Sequence, residues 1–189
     1  LRHAAEGAVE FTHDILASAV LDDILPARRR LLHSRAFEAL AAAGETAAAG
    51  THALAGDLAG DPRAVSVLSE AATLALKRGA PDAAVASIEG ALRLAGAMPP
   101  VALLARRADV LFAAGQAAEA ARAYRSALLL AGEGPHLGDL RIRLARAEGF
   151  AGNLATAMQI YDDLVGESAF GPALVSVLLE RAHVAWELH

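Results

Sequence analysis

Four glycines, Gly44, Gly79, Gly115 and Gly152, recur at spacings of 35, 36 and 37 residues, each between two alanine- and leucine-rich stretches. Placing them at the turn between two helices brings other positions into line. Seven residues earlier stand Phe37, Ala72, Ala108 and Ala145; five later stand Ala49, Ala84, Ala120 and Ala157; nine later stand Ala53, Ile88, Tyr124 and Tyr161. Two helices approach closely only where one offers a small residue and the other a bulky knob, so fixed small and large positions describe a helical hairpin. One hairpin cannot bury its apolar face alone; stacking successive hairpins does, and the result is a solenoid, an architecture that binds more often than it catalyses.

The chain's 189 residues, 55% of them hydrophobic, suffice for a substantial core. The longest uncharged run, 149–161, has 13 residues, short of the roughly 18–20 needed to cross a bilayer. The 49 alanines account for much of the positive hydropathy and favour helix over membrane insertion. No membrane association is expected. The absence of cysteine excludes disulfides and thiolate chemistry and fits a reducing compartment, with the cytoplasm as the default. A net charge of -5 argues against a direct nucleic-acid footprint, which needs a basic face.

Leu1 stands where a methionine would begin a reading frame, and no basic-then-apolar signal follows, so the chain is expected to be an excised piece. Ser176 to Glu187 reads as the first helix of a further hairpin whose partner helix is missing, and apolar surface at that end predicts a homodimer.

Periodicity and capping signals predict helices over His13 to Ile24, from Pro26 towards Gly44, Thr46 to Ala59, Pro62 to Arg78 with Asp61 as cap, and Pro81 to Ala95. Beyond Met98-Pro99-Pro100 they predict Val101 to Ala114, Ala117 to Leu130, Leu137 to Phe150, Leu154 to Val165 and Pro172 to Leu188. Val65-Ser66-Val67 and Val175-Ser176-Val177 alternate like strands but lie within helical spacing, and no strand is expected. The alanine-rich 41–49 keeps the register and reads as a loosely packed first repeat.

This register resembles the tetratricopeptide repeat. Leu104, Ala108, Leu111, Gly115, Ala120, Tyr124 and Ala127 occupy the motif's positions in the third unit, and Leu68, Ala72, Ala75, Gly79, Ala84, Ile88 and Ala91 occupy them in the second. The fourth unit keeps Leu144, Ala145, Gly152, Ala157 and Tyr161 but departs at Arg141 and Glu148, where apolar residues are expected. The resemblance implies an all-α fold, a right-handed superhelix of antiparallel helix hairpins, that is, an α-solenoid.

A second resemblance covers about a sixth of the chain. Phe11, His13, Ile15, Leu16, Leu25, Pro26, Arg30, Leu32 and His33 follow the layout of the segment after the nucleotide-binding module in large LuxR-type regulators. There a winged-helix region ends before the repeats begin. On this resemblance 1–25 is the end of a winged-helix-like connector and 26–189 are tetratricopeptide-like repeats, the last truncated. It implies a parent protein with an ATP-hydrolysing (STAND) switch upstream and a DNA-binding helix-turn-helix downstream. This chain lacks a Gly-x-x-x-x-Gly-Lys-Ser/Thr loop, and its one lysine is Lys77.

No residues are expected to form a catalytic, cofactor or metal site. His3, His13, His33, His52, His136, His183 and His189 include no i,i+4 pair and read as surface or capping residues. Asp22-Asp23 and Asp162-Asp163 lie near helix ends without a partner base and read as solvated charges. Arg28-Arg29-Arg30 with Arg35 is the most basic spot and reads as an exposed helix face or a contact to a neighbouring module. Tyr124 and Tyr161 share one repeat position and read as core.

The first helix of each hairpin lines the concave face in tetratricopeptide solenoids, and that correspondence nominates Thr73, Lys77, Asp109, Phe112, Ile142, Arg146, Phe150, His183 and Trp186. Aromatics among a few charges suit a groove for a protein, a peptide or a small-molecule inducer. Two readings follow: a ligand- or protein-binding sensor region of a LuxR-type ATP-dependent regulator, biasing its switch by population shift, or a stand-alone interaction scaffold unrelated to transcription.

Overall fold

The computed structural model describes residues 2–3, 9–10, 23–132, 137–167 and 172–187. It divides into two compact units, 1–58 and 59–189. The first contains a two-residue antiparallel ribbon, β1 (Arg2–His3) with β2 (Val9–Glu10), in which Arg2 faces Glu10 and His3 faces Val9. This ribbon is a small exception to the expectation of no strand: alternation over two residues is too short to register as a pattern. The helix expected over His13 to Ile24 falls almost wholly outside the described residues, as do Phe11, Ile15 and Leu16.

Among the described residues the first unit also holds the helices α1 (Pro26–Ala42) and α2 (Thr46–Ala55). They cross tightly at Gly56, where a Cβ would lie 3.1 Å from the Ser34 amide nitrogen. The alanine-rich 41–49 keeps the hairpin register, with Ala49 and Ala53 fully buried.

The second unit is an all-α solenoid of stacked hairpins. It comprises α3 (Pro62–Lys77) with α4 (Pro81–Ala95), α5 (Val101–Ala113) with α6 (Ala117–Ala131), α7 (Leu137–Phe150) with α8 (Leu154–Glu167), and then α9 (Pro172–Glu187). Pro26, Pro62, Pro81 and Pro172 each open a helix, where the missing N–H costs nothing. Asp61 caps α3 by accepting from the Arg63 and Ala64 amides at 2.8 and 3.4 Å.

All four register glycines adopt a left-handed backbone, with φ between 72° and 84°. Each closes its helix with the same two bonds, illustrated by Gly115 N–H to Phe112 O and Gln116 N–H to Leu111 O, both 2.9 Å. This double bond pair fixes the angle at which the second helix departs. The register positions are buried within their own units: Phe37, Ala49 and Ala53 in the first, and Ala72, Ala84, Ile88, Ala108, Ala120, Tyr124, Ala145, Ala157 and Tyr161 in the second. Tyr124 packs with Leu140, Leu144 and Ala147 of the following hairpin, and Tyr161 packs with Val177 and Val184 of α9. Both tyrosines therefore belong to the joints between successive hairpins of the second unit, and burying a large side chain contributes about 1.5–3 kcal/mol.

The two departures in the fourth unit leave the register intact. Glu148 is fully buried, but Arg125 ion-pairs with it and the Asn153 amide donates to its Oε2 at 2.8 Å. Arg141 reaches Glu167 on the next helix. Buried charge is tolerated here because its partner arrives from the neighbouring hairpin.

Two stability measurements test these points. Gly115→Ala, at φ 80°, is expected to cost about 1–2 kcal/mol in urea unfolding, whereas Gly138→Ala, at a helical position with open space around a Cβ, should stabilise by about 0.5–1 kcal/mol. Equal effects would contradict the turn assignment. Arg125→Ala strands a buried carboxylate and should cost about 2–4 kcal/mol. Glu148→Gln leaves only a half-exposed arginine behind and should cost about 1 kcal/mol.

Candidate functional site

The first helices of successive hairpins carry a ladder of polar pairs. The residue six places before Gly79, Gly115 and Gly152 reaches the residue nine places before the next turn position. Arg106 donates to the Thr73 hydroxyl, Arg143 Nη1 to both Asp109 oxygens at 3.0 and 3.1 Å, and Arg146 to Glu180. Helical geometry places these two positions on one face, and stacking the units aligns them. The chemistry alternates along the ladder: hydroxyl with arginine, carboxylate with arginine, arginine with carboxylate.

Three nominated residues, Thr73, Asp109 and Arg146, are therefore rungs between repeats. Five of the nine converge on two adjoining cavities. The first, about 160 Å³, is lined by Asp109, Phe112, Tyr124, Arg143 and Arg146. The second, about 240 Å³, is lined by residues that include Arg146, Phe150, Tyr161, Glu180 and His183. Arg146 belongs to both. Phe112 and Phe150 meet edge to face with ring centroids 5.3 Å apart and planes at 88°, the arrangement that the ring quadrupole favours. Phe150 is nevertheless 71% exposed.

The other nominated residues separate from this cluster. Ile142 packs against the core around Tyr161, so it supports the wall instead of lining the groove. Lys77 and Trp186 are exposed and line neither cavity. Sequence reasoning missed Arg106, Arg143 and Glu180. The signal was available, since the place nine before the turn is charged in three consecutive units. A third cavity, about 440 Å³, lies between α5 and α7 against Val101, Ala105 and Leu140, with Arg106 and Arg143 beside it.

The two tyrosines differ despite sharing a repeat position. Tyr124 donates to Asp109 Oδ1 at 2.6 Å. Burial raises its pKa, and the Asp109 carboxylate raises it further. At the equivalent place beside Tyr161 stands Arg146, which cannot accept a proton. The Tyr161 hydroxyl is buried and has no protein hydrogen-bond partner among the described residues. Burial, with the nearby Glu180 carboxylate, pushes its pKa up to about 12, against the lowering influence of Arg146.

In the first unit His33 and His52 depart from the expected surface role. Their Nδ1 atoms lie 2.8 Å apart across the α1–α2 crossing, one nitrogen donating and the other accepting. Among the described residues no group of three or more metal-ligating side chains forms. No described helix is long and apolar enough to cross a membrane.

The tyrosine environments set an alkaline limit on stability. A phenol whose folded pKa exceeds its unfolded value of about 10 holds its proton more tightly in the native state, so the stability it contributes is present below pH 10 and lost above it. Unfolding free energy should fall by about 1–2 kcal/mol between pH 10 and pH 12 on account of Tyr161. Tyr161→Phe should flatten that part of the profile. An unchanged slope in the variant would contradict the assigned environment.

No family model matches the chain, and no curated protein matches it. Solved structures do. One holds the nearly identical TPR-like repeats of a Podosopora anserina kinesin light chain-like protein, at 18% identity and a TM-score of 0.60, covering 86% of this chain and 87% of that one. Another is a point variant of the same protein, at 19% identity and a TM-score of 0.60, covering 85% and 86%. The fold of this chain is that of tetratricopeptide-like repeats.

Proposed function

We propose that the face formed by the first helices of the second unit binds a segment of a partner protein, and that the chain is the sensor or scaffold region of a LuxR-type, nucleotide-switching transcriptional regulator. The observation that carries the binding reading is the exposed Phe150 ring, held edge to face on the half-buried Phe112 and flanked by cavities that contain Arg146 and His183. Aromatic surface beside charge is the composition of binding hot spots. The ladder holds most of the charges on this face in pairs, so an incoming segment gains its affinity from apolar contact and hydrogen bonds more than from net charge. On this reading the segment has no catalytic role and needs no cofactor, and nucleotide turnover and DNA binding belong to other modules.

The regulator assignment is supported by the resemblance of 11–33 to the connector that precedes the repeats in that family. The ribbon formed by Arg2–His3 and Val9–Glu10 also suits a winged-helix-like lead. A second reading, a stand-alone scaffold, is favoured by the likeness of the repeats to those of a kinesin light chain-like protein. Sequencing the parent reading frame decides between them. A phosphate loop upstream and a helix-turn-helix downstream support the regulator; a frame that closes near both ends without either supports the scaffold. Exposed Leu179 and Trp186 on α9 support self-association, and a monomer across a wide concentration range in light scattering would overturn it.

Binding itself is tested by selecting peptides from a displayed library against the whole chain. Phe150→Asp should weaken the selected peptides by at least about tenfold while leaving the unfolding temperature within about 2 °C, because the ring is mostly exposed. Peptides that bind the variant as they bind the native chain would place the surface elsewhere.

A further inference from the structure

The 240 Å³ cavity combines a buried donor, a neutralised ion pair and an exposed aromatic ring. Repeat logic shows what is missing there. In the third unit the tyrosine nine places after the turn finds its acceptor in the aspartate six places before it, Tyr124 to Asp109 at 2.6 Å. In the fourth unit the same geometry sets Tyr161 beside Arg146, a donor only. Arg146 is held by Glu180 through one carboxylate oxygen, and the Tyr161 hydroxyl bonds to neither side chain. A buried hydroxyl without a partner costs about 1–3 kcal/mol, and most buried polar groups avoid that cost.

We infer that this cavity is an acceptor subsite that takes a neutral amide carbonyl, with Tyr161 as the donor and Phe150 as the platform for the apolar group next to that carbonyl. The occupant is the peptide group of a bound protein segment, so the inference rests on the binding reading above and adds the chemistry of one contact. A carboxylate fits less well, because it would share Arg146 with Glu180 and meet that residue's charge. An amide carbonyl needs only the hydroxyl, and it leaves the Arg146–Glu180 rung in place. His183 and Leu154 also line the cavity.

The chain has two tyrosines, so tyrosine labelled with carbon-13 at Cζ gives two signals, and Tyr124 serves as an internal control. The probe is N-acetyl-L-phenylalaninamide, which carries amide carbonyls beside an aromatic group, titrated into the full chain. The Tyr161 signal should move saturably while the Tyr124 signal stays fixed. Tyr161→Phe should fold at least as stably as the native chain, since it removes an unpartnered hydroxyl, and should bind the probe about tenfold more weakly. Tyr124→Phe should be less stable, because it removes a bonded hydroxyl. The inference is overturned if the probe does not bind saturably, if both signals move alike, if Tyr161→Phe binds as the native chain does, or if the free protein already shows Tyr161 bonded to a carboxylate as Tyr124 is. Selected peptides that bind the inner face and leave Tyr161 unmoved would overturn this subsite and leave the wider binding reading standing.

Discussion

The pairing of a left-handed glycine turn with a small residue five places later is the constraint on which the rest of this structure depends. The glycine's φ near 80° lets the helix end in two backbone bonds and sends the second helix back at one angle. The alanine at the fifth place then lets the two helices touch. Repeating that geometry four times puts Ile88, Tyr124 and Tyr161 at equivalent places, the two tyrosines in the seam with the following unit. Within the second unit the hydrophobic contribution of each hairpin is thereby shared with its neighbour, which is why such repeats are stable only as stacks.

With the core fixed by apolar positions, the polar positions of the first helices are free to diversify. They form a ladder that varies in chemistry at each step while its geometry stays constant. The Asp109–Arg143 rung also satisfies Tyr124, so one carboxylate serves both the ladder and the core. At the next step the aspartate's place is taken by Arg146, and the change propagates inward: the ladder is completed by Glu180, but Tyr161 is left without an acceptor. A single substitution in the ladder thus couples surface chemistry to a buried group. This is how a repeat array can acquire a specific site without altering its fold.

Much of the fold was legible in the sequence, because alanine, glycine and tyrosine at fixed spacing report backbone and packing constraints directly. The helix limits differ from expectation by one or two residues in most cases. The largest difference is at α2, which ends at Ala55 because Asp57 takes a left-handed φ of 53°. The ribbon of β1 and β2 was not legible, since two residues carry no periodicity. The candidate site was legible only in part. Asp109, Phe112, Arg146, Phe150 and His183 were identified from their helix face, but their partners Arg143 and Glu180 act across repeats. So do Arg125 and Glu148, whose pairing turns an apparent violation of the apolar pattern into a satisfied one. A one-dimensional register shows which places are equivalent; it does not show which side chains meet between units. The His33–His52 contact was missed for the same reason, because it joins two helices through space across 19 positions of sequence.

The measurement that tests the central claim most directly is amide hydrogen exchange of the whole chain, with and without a peptide selected for binding. If the first helices form the recognition surface, added protection should concentrate in α5, α7 and α9, with α4, α6 and α8 little changed. Protection concentrated in the second helices, or spread evenly over both sets, would contradict the account.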